Sequence, residues 1–287
     1  MSLKEIKARI ASVRNTRKTT SAMKMVSSVK LRKAQQAAQS ALPYVNELDR
    51  ILKGLASMPE FHSVPMLRQR PVRNVALVAI SSDSSLCGGF NSNIIKHSKD
   101  LFNKMLEVDY KPLFYTIGQR ITDSFKKTDI EINTGYSDMM AHRLYKDAVS
   151  LADDLMHIYL NEGVDKVLMT YTHFKSAGSQ YIVDEVLLPL QIPADGDSSS
   201  DIVTDFILEP SADELLKTLL PQVIRMKLYA AVLDSYCSEQ AARVIAMQAA
   251  TDNADNLIGE LSLQYNKLRQ QAITNELLDL AGGQIEN

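Results

Sequence analysis

The sequence predicts an open α/β domain with a mostly parallel sheet, set between two long terminal helices that form an antiparallel coiled-coil shaft. Two observations support this fold class. Residues 3–57 and 211–281 each keep the apolar spacing of one long helix, and residues 74–190 alternate between strand and helix patterns. At about 1.5 Å per residue the two helices would measure roughly 80 Å and 105 Å, which suits a rod or lever.

The first helix carries a heptad seam. Twelve of the sixteen positions spaced three and four residues apart from Leu3 are apolar, which predicts a left-handed coiled coil. The four polar positions fall within residues 17–27, where Met23 and Val26 offer a second apolar face and the seam either weakens or meets another partner. Pro43 predicts a kink and not an end.

The last helix continues the same spacing from Leu216 to Ala272. Ser211 and Glu214 form a predicted capping box at its start, and Pro221 should bend it. Two such helices at opposite ends of a chain most simply pair antiparallel. We therefore divide the chain into a first shaft helix, a central domain, an acidic loop and a second shaft helix, at residues 1–60, 72–192, 193–208 and 209–287.

The middle of the chain predicts strands at 74–81, 113–117, 130–133, 166–173 and 181–190, with helices at 91–108, 118–127 and 141–162. Strand–helix–strand order implies parallel pairing with helices covering the sheet. The last two strands are separated by a short turn at residues 176–178, so they form a candidate antiparallel hairpin at one edge.

Charge distribution, cysteine content and apolar runs indicate what kind of partner and compartment suit this protein. Net charge is −2, yet residues 1–40 hold ten basic residues and one acid, and residues 195–214 hold seven acids and no base. Cys87 and Cys237 lie in different predicted elements, which favours buried thiols in a reducing compartment over a disulfide. No apolar run is long enough to span a membrane, and the start has no apolar signal core.

Residues 81–91 form the feature most like an enzyme site, a glycine-bearing turn between a strand and a helix. A nucleotide loop is one interpretation. A tight turn with Asn91 capping the helix is the favoured one, because neither phosphate-binding glycine motif is present. Cys87 has no base at a supporting spacing, the five histidines show no metal-ligand spacing, and Asp153–Asp154 reads as a solvated face. We predict no catalytic residue, no metal and no cofactor.

The basic first helix has three interpretations, of which a solvated face, usual for a run of charges, is strained at a net charge of +9 over residues 1–40. Its lysines and arginines could follow the phosphates of a nucleic acid, but residues 1–43 contain no aromatic side chain for base stacking. An acidic protein partner explains the charge equally well.

Three blocks of residues resemble the gamma subunit of F-type ATP synthases, of the bacterial type. They are residues 10–16, 22–26 and 30–35 in the first helix, 82–83 and 86–91 in the middle, and 238–247, 250–254, 265–266, 269–270, 273–274, 276–277 and 282–283 in the last helix. The resemblance covers the whole chain in order.

The resemblance implies a non-catalytic central-stalk rotor shaft that couples ion flow to ATP synthesis or hydrolysis. Its implied partners are the hexamer of alpha and beta subunits, the epsilon subunit and the membrane ring of c subunits. It would sit peripherally on the cytoplasmic face of the bacterial inner membrane. The implied subunit contacts are Arg9, Met23, Lys24, Arg243, Arg269, Gln270, Thr274 and Glu276.

The chain departs from the family pattern at Ser84–Ser85, which replace a usual basic residue and glycine, and at Arg17, Thr19 and Ser21.

Two other functions explain less of the sequence. A coiled-coil scaffold or nucleic-acid-binding protein accounts for the rods and the charge, and a small α/β enzyme with helical arms accounts for the middle.

Overall fold

The computed structural model describes residues 2–55, 64–128, 130–191 and 211–282. In these ranges the helices are α1 (Leu3–Leu55), α2 (Phe90–Glu107), α3 (Gln119–Phe125), α4 (Met139–His142), α5 (Tyr145–Leu160) and α6 (Ala212–Gly282). The strands are β1 (Asn74–Ile80), β2 (Lys111–Ile117), β3 (Ile132–Asn133), β4 (Lys166–Ser176) and β5 (Ser179–Leu188). The predicted fold class is confirmed: long terminal helices flank a central, mostly parallel sheet.

Within the described ranges the strands form one five-stranded sheet in the order β3-β2-β1-β4-β5. β1 pairs in parallel with both β2 and β4, and β2 pairs in parallel with β3. β4 and β5 form the antiparallel hairpin expected from the sequence, and it is longer than predicted. Helical crossovers link the parallel strands, because parallel neighbours cannot be joined by a tight turn.

The sheet is covered on both faces, so alternate residues of its central strand enter different cores. On one face Ala76, Val78 and Ile80 join a large cluster with α5 and part of α6. On the other face Val75, Leu77 and Ala79 meet side chains of α2 and α3. This explains why β1 reads as a continuous apolar run instead of an alternating one.

The prediction of one helix over residues 141–162 is wrong. The chain forms α4, turns at Arg143 and Leu144, and starts again as α5. Arg143 adopts the left-handed conformation, with φ of 52°, and its guanidinium lies 4.0 Å from the centre of the Tyr236 ring. A contact with a residue 93 positions away fixes this break, so local helix periodicity could not predict it.

Both terminal helices continue through their internal prolines, Pro43 and Pro221, as the sequence predicts. The predicted cap is also present, because the Glu214 amide donates to Ser211 Oγ at 3.3 Å. α1 starts with a capping box that we did not predict. The Ser2 amide donates to Glu5 Oε2 at 2.7 Å, and the Glu5 amide donates to Ser2 Oγ at 3.2 Å.

The chain divides into two compact units. Unit 1 comprises residues 1–28 and 243–287, and unit 2 comprises residues 29–242. Both unit boundaries fall inside α1 and α6, so they do not coincide with the divisions predicted from sequence, which stay predictions. The predicted acidic loop at 193–208 lies outside the described residues.

In unit 2 the second half of α1 packs against the first half of α6. Seam residues predicted from the heptad spacing form this apolar cluster, including Leu48, Leu52, Leu216 and Val223. Tyr44 OH also donates to Gln222 Oε1 at 3.2 Å.

In unit 1 the remaining parts of the same two helices run antiparallel. Ile6 and Ile10 pack with Leu261, and further along α1 the partners are Asp255 and then Thr251. No helix in the described ranges is both long and apolar enough to cross a membrane.

Candidate subunit-contact surfaces

The polar stretch of the first seam is paired within unit 1. Arg17 forms an ion pair with Asp255, and Thr20 and Thr251 share a hydrogen bond of 2.8 Å between their hydroxyls. Ser27 is buried. Two polar seam residues of α1 therefore meet polar residues of α6, Thr251 on its seam and Asp255 next to it, so the two helices stay in contact there through polar interactions.

Next to this seam, α1 exposes apolar side chains to solvent. Met25 is 68 % exposed, Val26 is 55 % exposed and Val29 is 57 % exposed, whereas Met23 and Lys24 are half-buried. Arg9 is exposed on the preceding turns. Exposed apolar residues among basic ones are typical of a surface that binds a protein, because burial of the apolar side chains against a partner removes them from water while the charges select a partner of opposite sign.

The end of α6 is exposed on all sides. Arg269, Gln270, Thr274 and Glu276 lie in solvent, together with the apolar residues Ile273, Leu277 and Leu278. A helix that exposes apolar side chains over its last turns is stable only with a partner or through the length of the helix before it. These positions are therefore placed where another subunit could enclose them.

Arg243 differs from the other predicted contact residues. It is buried, with 7 % exposure, at the position where unit 1 begins on α6. A subunit that binds the exposed face of α6 would not reach its guanidinium without moving the surrounding side chains.

Sequence reasoning missed several residues of these surfaces, chiefly Met25, Val29, Leu263 and Leu277. Each is apolar and lies off the heptad seam. That combination is itself a detectable signal, because an off-seam apolar residue on a coiled coil has no partner in the two-helix pair.

The turn at residues 81–91 is held by its own side chains. Asn91 Oδ1 accepts hydrogen bonds from the Ser82 amide at 3.1 Å and from Ser82 Oγ at 2.9 Å, and its Nδ2 donates to the Ser84 carbonyl at 3.1 Å. The prediction that Asn91 caps the helix is wrong, since Gly89 occupies the cap position and Asn91 lies inside α2. The tight turn itself is confirmed.

A groove of about 410 Å³ opens beside this turn, between the first turns of α2 and α3. Arg120, Asp123 and Lys127 line it together with residues of the turn. Nearby Gly118 has φ of +96°, and a Cβ there would lie 2.4 Å from the Ser81 carbonyl oxygen, so this position requires glycine. The mixture of charges gives the groove no clear preference for phosphate.

Burial shifts the pKa of several titratable groups in unit 2. Burial raises the pKa of the Cys237 thiol to about 12, with the Asp234 carboxylate adding to the effect. Burial also raises the pKa of Tyr136 to about 12. Cys87 and Cys237 are both buried and unbridged, as predicted. Among the described residues, no group of three or more His, Cys, Asp or Glu is placed to hold a metal ion.

Comparison with known proteins identifies the family. The sequence model of the ATP synthase family matches residues 2–285. The ATP synthase gamma chain of Bacteroides fragilis is 46 % identical over 285 residues, covering 98 % of both chains. The chain belongs to the ATP synthase gamma chain family. The gamma chains of Phocaeicola vulgatus and Geobacter metallireducens, at 44 % and 39 % identity, are likewise matched over at least 97 % of their lengths.

Solved structures share the fold. A chain of the Euglena gracilis mitochondrial ATP synthase, from the structure of its OSCP, F1 and c-ring, aligns with a TM-score of 0.65 over 98 % of this chain and 92 % of its own, at 16 % identity. A chain of the Tetrahymena thermophila central stalk and c-ring aligns with a TM-score of 0.57 over 81 % of this chain and 99 % of its own, at 22 % identity. The resemblance inferred from the three sequence blocks is thus confirmed.

Proposed function

We propose that this chain is the central-stalk rotor shaft of an F-type ATP synthase, coupling ion flow through the membrane sector to ATP synthesis or hydrolysis. The observation that carries the proposal is the pair of antiparallel helices in unit 1, in which α1 exposes basic and apolar side chains and the end of α6 exposes further apolar ones. Such a surface fits a shaft enclosed by other subunits. Membership of the gamma chain family supports the same role.

The proposed enclosing partner is the hexamer of alpha and beta subunits. Acidic segments of those subunits would meet Arg9, Lys24 and the adjoining apolar stripe, with Met23 at its edge. The exposed end of α6 would occupy an apolar bearing through Ile273 and Leu277, with contacts from Arg269, Gln270, Thr274 and Glu276. Arg243 belongs to this proposed set through its position in the family pattern, although its burial requires local rearrangement.

The α/β domain of unit 2 would form the foot of the stalk. Its proposed partners are the epsilon subunit and the ring of c subunits, so the chain would lie peripherally on the cytoplasmic face of the bacterial inner membrane. Nucleotide chemistry would belong to the hexamer, and this chain would contribute no catalytic residue.

The proposal is tested by co-expressing the chain with the alpha and beta subunits of the same organism and measuring mass and ATPase activity. We expect one copy of this chain per three alpha and three beta subunits, and higher ATPase activity than the hexamer alone. A chain that stays separate, or that copurifies with nucleic acid, would contradict the proposal and favour the scaffold function.

Met23→Lys tests the proposed contact at the level of one residue. Met23 is half-buried on α1, so an extra charge there should leave the isolated fold intact and impair coupling at the surface facing the hexamer. Protons pumped per ATP hydrolysed should fall in the assembled complex, while circular dichroism of the chain stays unchanged. Wild-type coupling in the variant would show that Met23 is not a contact.

A further inference from the structure

Helix α6 is fastened to the α/β domain along two opposite flanks, within unit 2. Six residues between positions 225 and 238 make these contacts. On one flank they are Lys227, Asp234 and Ser238, and on the other Arg225, Tyr229 and Tyr236.

The first flank binds the β4–β5 hairpin. Asp234 accepts a hydrogen bond from the Phe174 amide at 2.9 Å, and its other oxygen lies 2.6 Å from His173 Nδ1. One helical turn later Ser238 Oγ donates to the Thr172 carbonyl at 3.0 Å. Lys227 Nζ lies 3.5 Å from Glu185 Oε1.

The second flank binds α5 and the turn that precedes it. Arg225 Nε donates to Asp153 Oδ1 at 2.7 Å. The rings of Tyr229 and Tyr145 meet edge to face with centroids 5.4 Å apart. The Arg143 guanidinium lies over the Tyr236 ring.

The spacing of these residues places the two flanks on opposite sides of the helix. Within each flank, successive residues are four or seven positions apart, so their side chains lie along one face of the helix. The two sets are offset by two positions, which on an α-helix is a rotation of about 200°. The strip between them is apolar, and its residues Ile224, Leu228 and Val232 are buried in the core.

Apolar packing and the flanking contacts resist different motions. Burial of the apolar strip opposes separation of α6 from the domain. Because this burial is non-directional, it allows the helix to slide along its axis or to rotate about it. Hydrogen bonds and ring contacts have preferred geometries. A hydrogen bond weakens steeply when its donor turns away from the acceptor. Contacts on opposite flanks together oppose rotation of α6 about its own axis, because rotation in either direction stretches the contacts of at least one flank.

We infer that these two flanks form a clamp that passes torque between the α/β domain and α6. The torque role of the clamp rests on the proposed function as a rotor shaft. The existence of the clamp rests on the contacts described above. Arg225 and Asp234 act as positioning residues: they hold the helix at a fixed rotation relative to the sheet and touch no nucleotide.

The clamp is tested first in the full-length chain by itself. Thr218→Cys on α6 and Lys104→Cys on α2 are exposed sites for nitroxide labels, and the native cysteines are buried at 1 % and 2 % exposure, which protects them from labelling. The distance distribution between the labels should be narrow in the parent chain. It should broaden when Arg225→Ala and Asp234→Ala are combined. An unchanged width in the double variant would overturn the clamp.

Arg70→Ala is the matched control. Arg70 donates to the carbonyls of Tyr159 and Val164 and lies over the Tyr159 ring, so it fastens another segment to the same domain without contacting α6. Its loss should lower the stability of unit 2 and leave the label width unchanged. Asp234→Asn, which keeps an acceptor for the Phe174 amide, should broaden the distribution less than Asp234→Ala. Equal broadening by Arg70→Ala would mean general loosening and would overturn the clamp.

Torque transfer is then measured in the assembled ATP synthase. The Arg225→Ala, Asp234→Ala variant should hydrolyse ATP normally in the detached soluble complex, where the load is small, and should lose proton pumping against a gradient. Normal pumping with a broadened label distribution would overturn the torque role. If the parent chain fails to assemble with alpha and beta subunits, the proposed function and the torque role both fail, while the label widths still decide whether the clamp exists.

Discussion

Units 1 and 2 bury apolar surface to very different extents, although both contain parts of α1 and α6. In unit 2 these helices contribute to two of the three described apolar clusters, one of them built on the sheet, and side chains such as Leu155 and Ile224 are fully buried. In unit 1 the described apolar cluster consists of Ile6, Ile10 and Leu261 with a few partly buried neighbours. The same kind of heptad sequence therefore produces a self-sufficient core in one unit and a thin two-helix contact in the other.

The difference teaches how to interpret the exposed apolar residues of unit 1. A two-helix pair cannot enclose more than its seam, so the remaining apolar side chains need a third surface. Leu263, at 73 % exposure, and Met25, at 68 %, are therefore expected to contribute little to the stability of the chain alone. If the proposed function holds, we expect them to contribute to assembly instead.

The largest effect is expected from a core substitution in unit 2. Leu155→Ala should lower the free energy of unfolding by about 3–4 kcal/mol, because a fully buried leucine leaves a cavity in packed surroundings. Urea denaturation measures this loss. Leu263→Ala, the matched change in unit 1, should cost less than about 0.5 kcal/mol. Similar losses for the two variants would remove the contrast between the units.

Alkaline pH should destabilise unit 2 through Cys237. The folded state raises the pKa of this thiol from 9.0 to about 12, so it favours the neutral form. The resulting stability is complete below about pH 9 and is lost as the pH rises towards 12. Above pH 9 the free energy of unfolding should fall by about 1 kcal/mol per pH unit from this group. Denaturation of Cys237→Ala at pH 8 to 10.5 should show a shallower decline, and an identical slope would rule out this thiol as the cause.

Ile10→Ala should affect unit 1 alone. Loss of this seam contact should raise hydrogen exchange in the first turns of α1 and the facing turns of α6, by an amount equal to about 1–2 kcal/mol of local stability. Exchange of the β1 and β4 amides should not change. Faster exchange throughout the sheet would show that the two units unfold together.

The smallest effect is expected at the ion pair between Arg17 and Asp255. Both side chains are about half exposed, at 47 % and 48 %, so solvent screens the attraction. A double-mutant cycle with alanine at both positions should give a coupling energy below about 1 kcal/mol that vanishes at 1 M salt. A larger, salt-independent coupling would mean that the polar seam holds unit 1 together more strongly than its apolar cluster.

Much of this fold could be predicted from the sequence because its elements have strong local signals. The heptad spacing identified the seam residues of both helices, and the β-branched run at β1 and the short turn after β4 located the sheet and its hairpin. The break at Arg143 and the inward turn of the Asn91 side chain could not be predicted. Each depends on a tertiary or loop contact that leaves no periodic pattern.

The predicted subunit contacts stay a prediction. The structure shows that Arg9, Arg269, Gln270, Thr274 and Glu276 are exposed. The burial of Arg243 could not be foreseen, since nothing in the sequence distinguishes it from an exposed helical arginine. The clamp residues of α6 are also scattered among seam positions in the sequence, and their partners come from four segments: β4, β5, α5 and the turn before α5.

Hydrogen exchange of the chain alone and in the assembled complex tests the central claim most directly. If unit 1 is a shaft that other subunits enclose, residues 2–28 and 243–282 should exchange readily in the chain alone and become strongly protected with one copy per alpha–beta hexamer. The strands of unit 2 should be protected in both states. Unit 1 residues that stay unprotected in the complex, or that are already as protected as the sheet in the chain alone, would contradict the account.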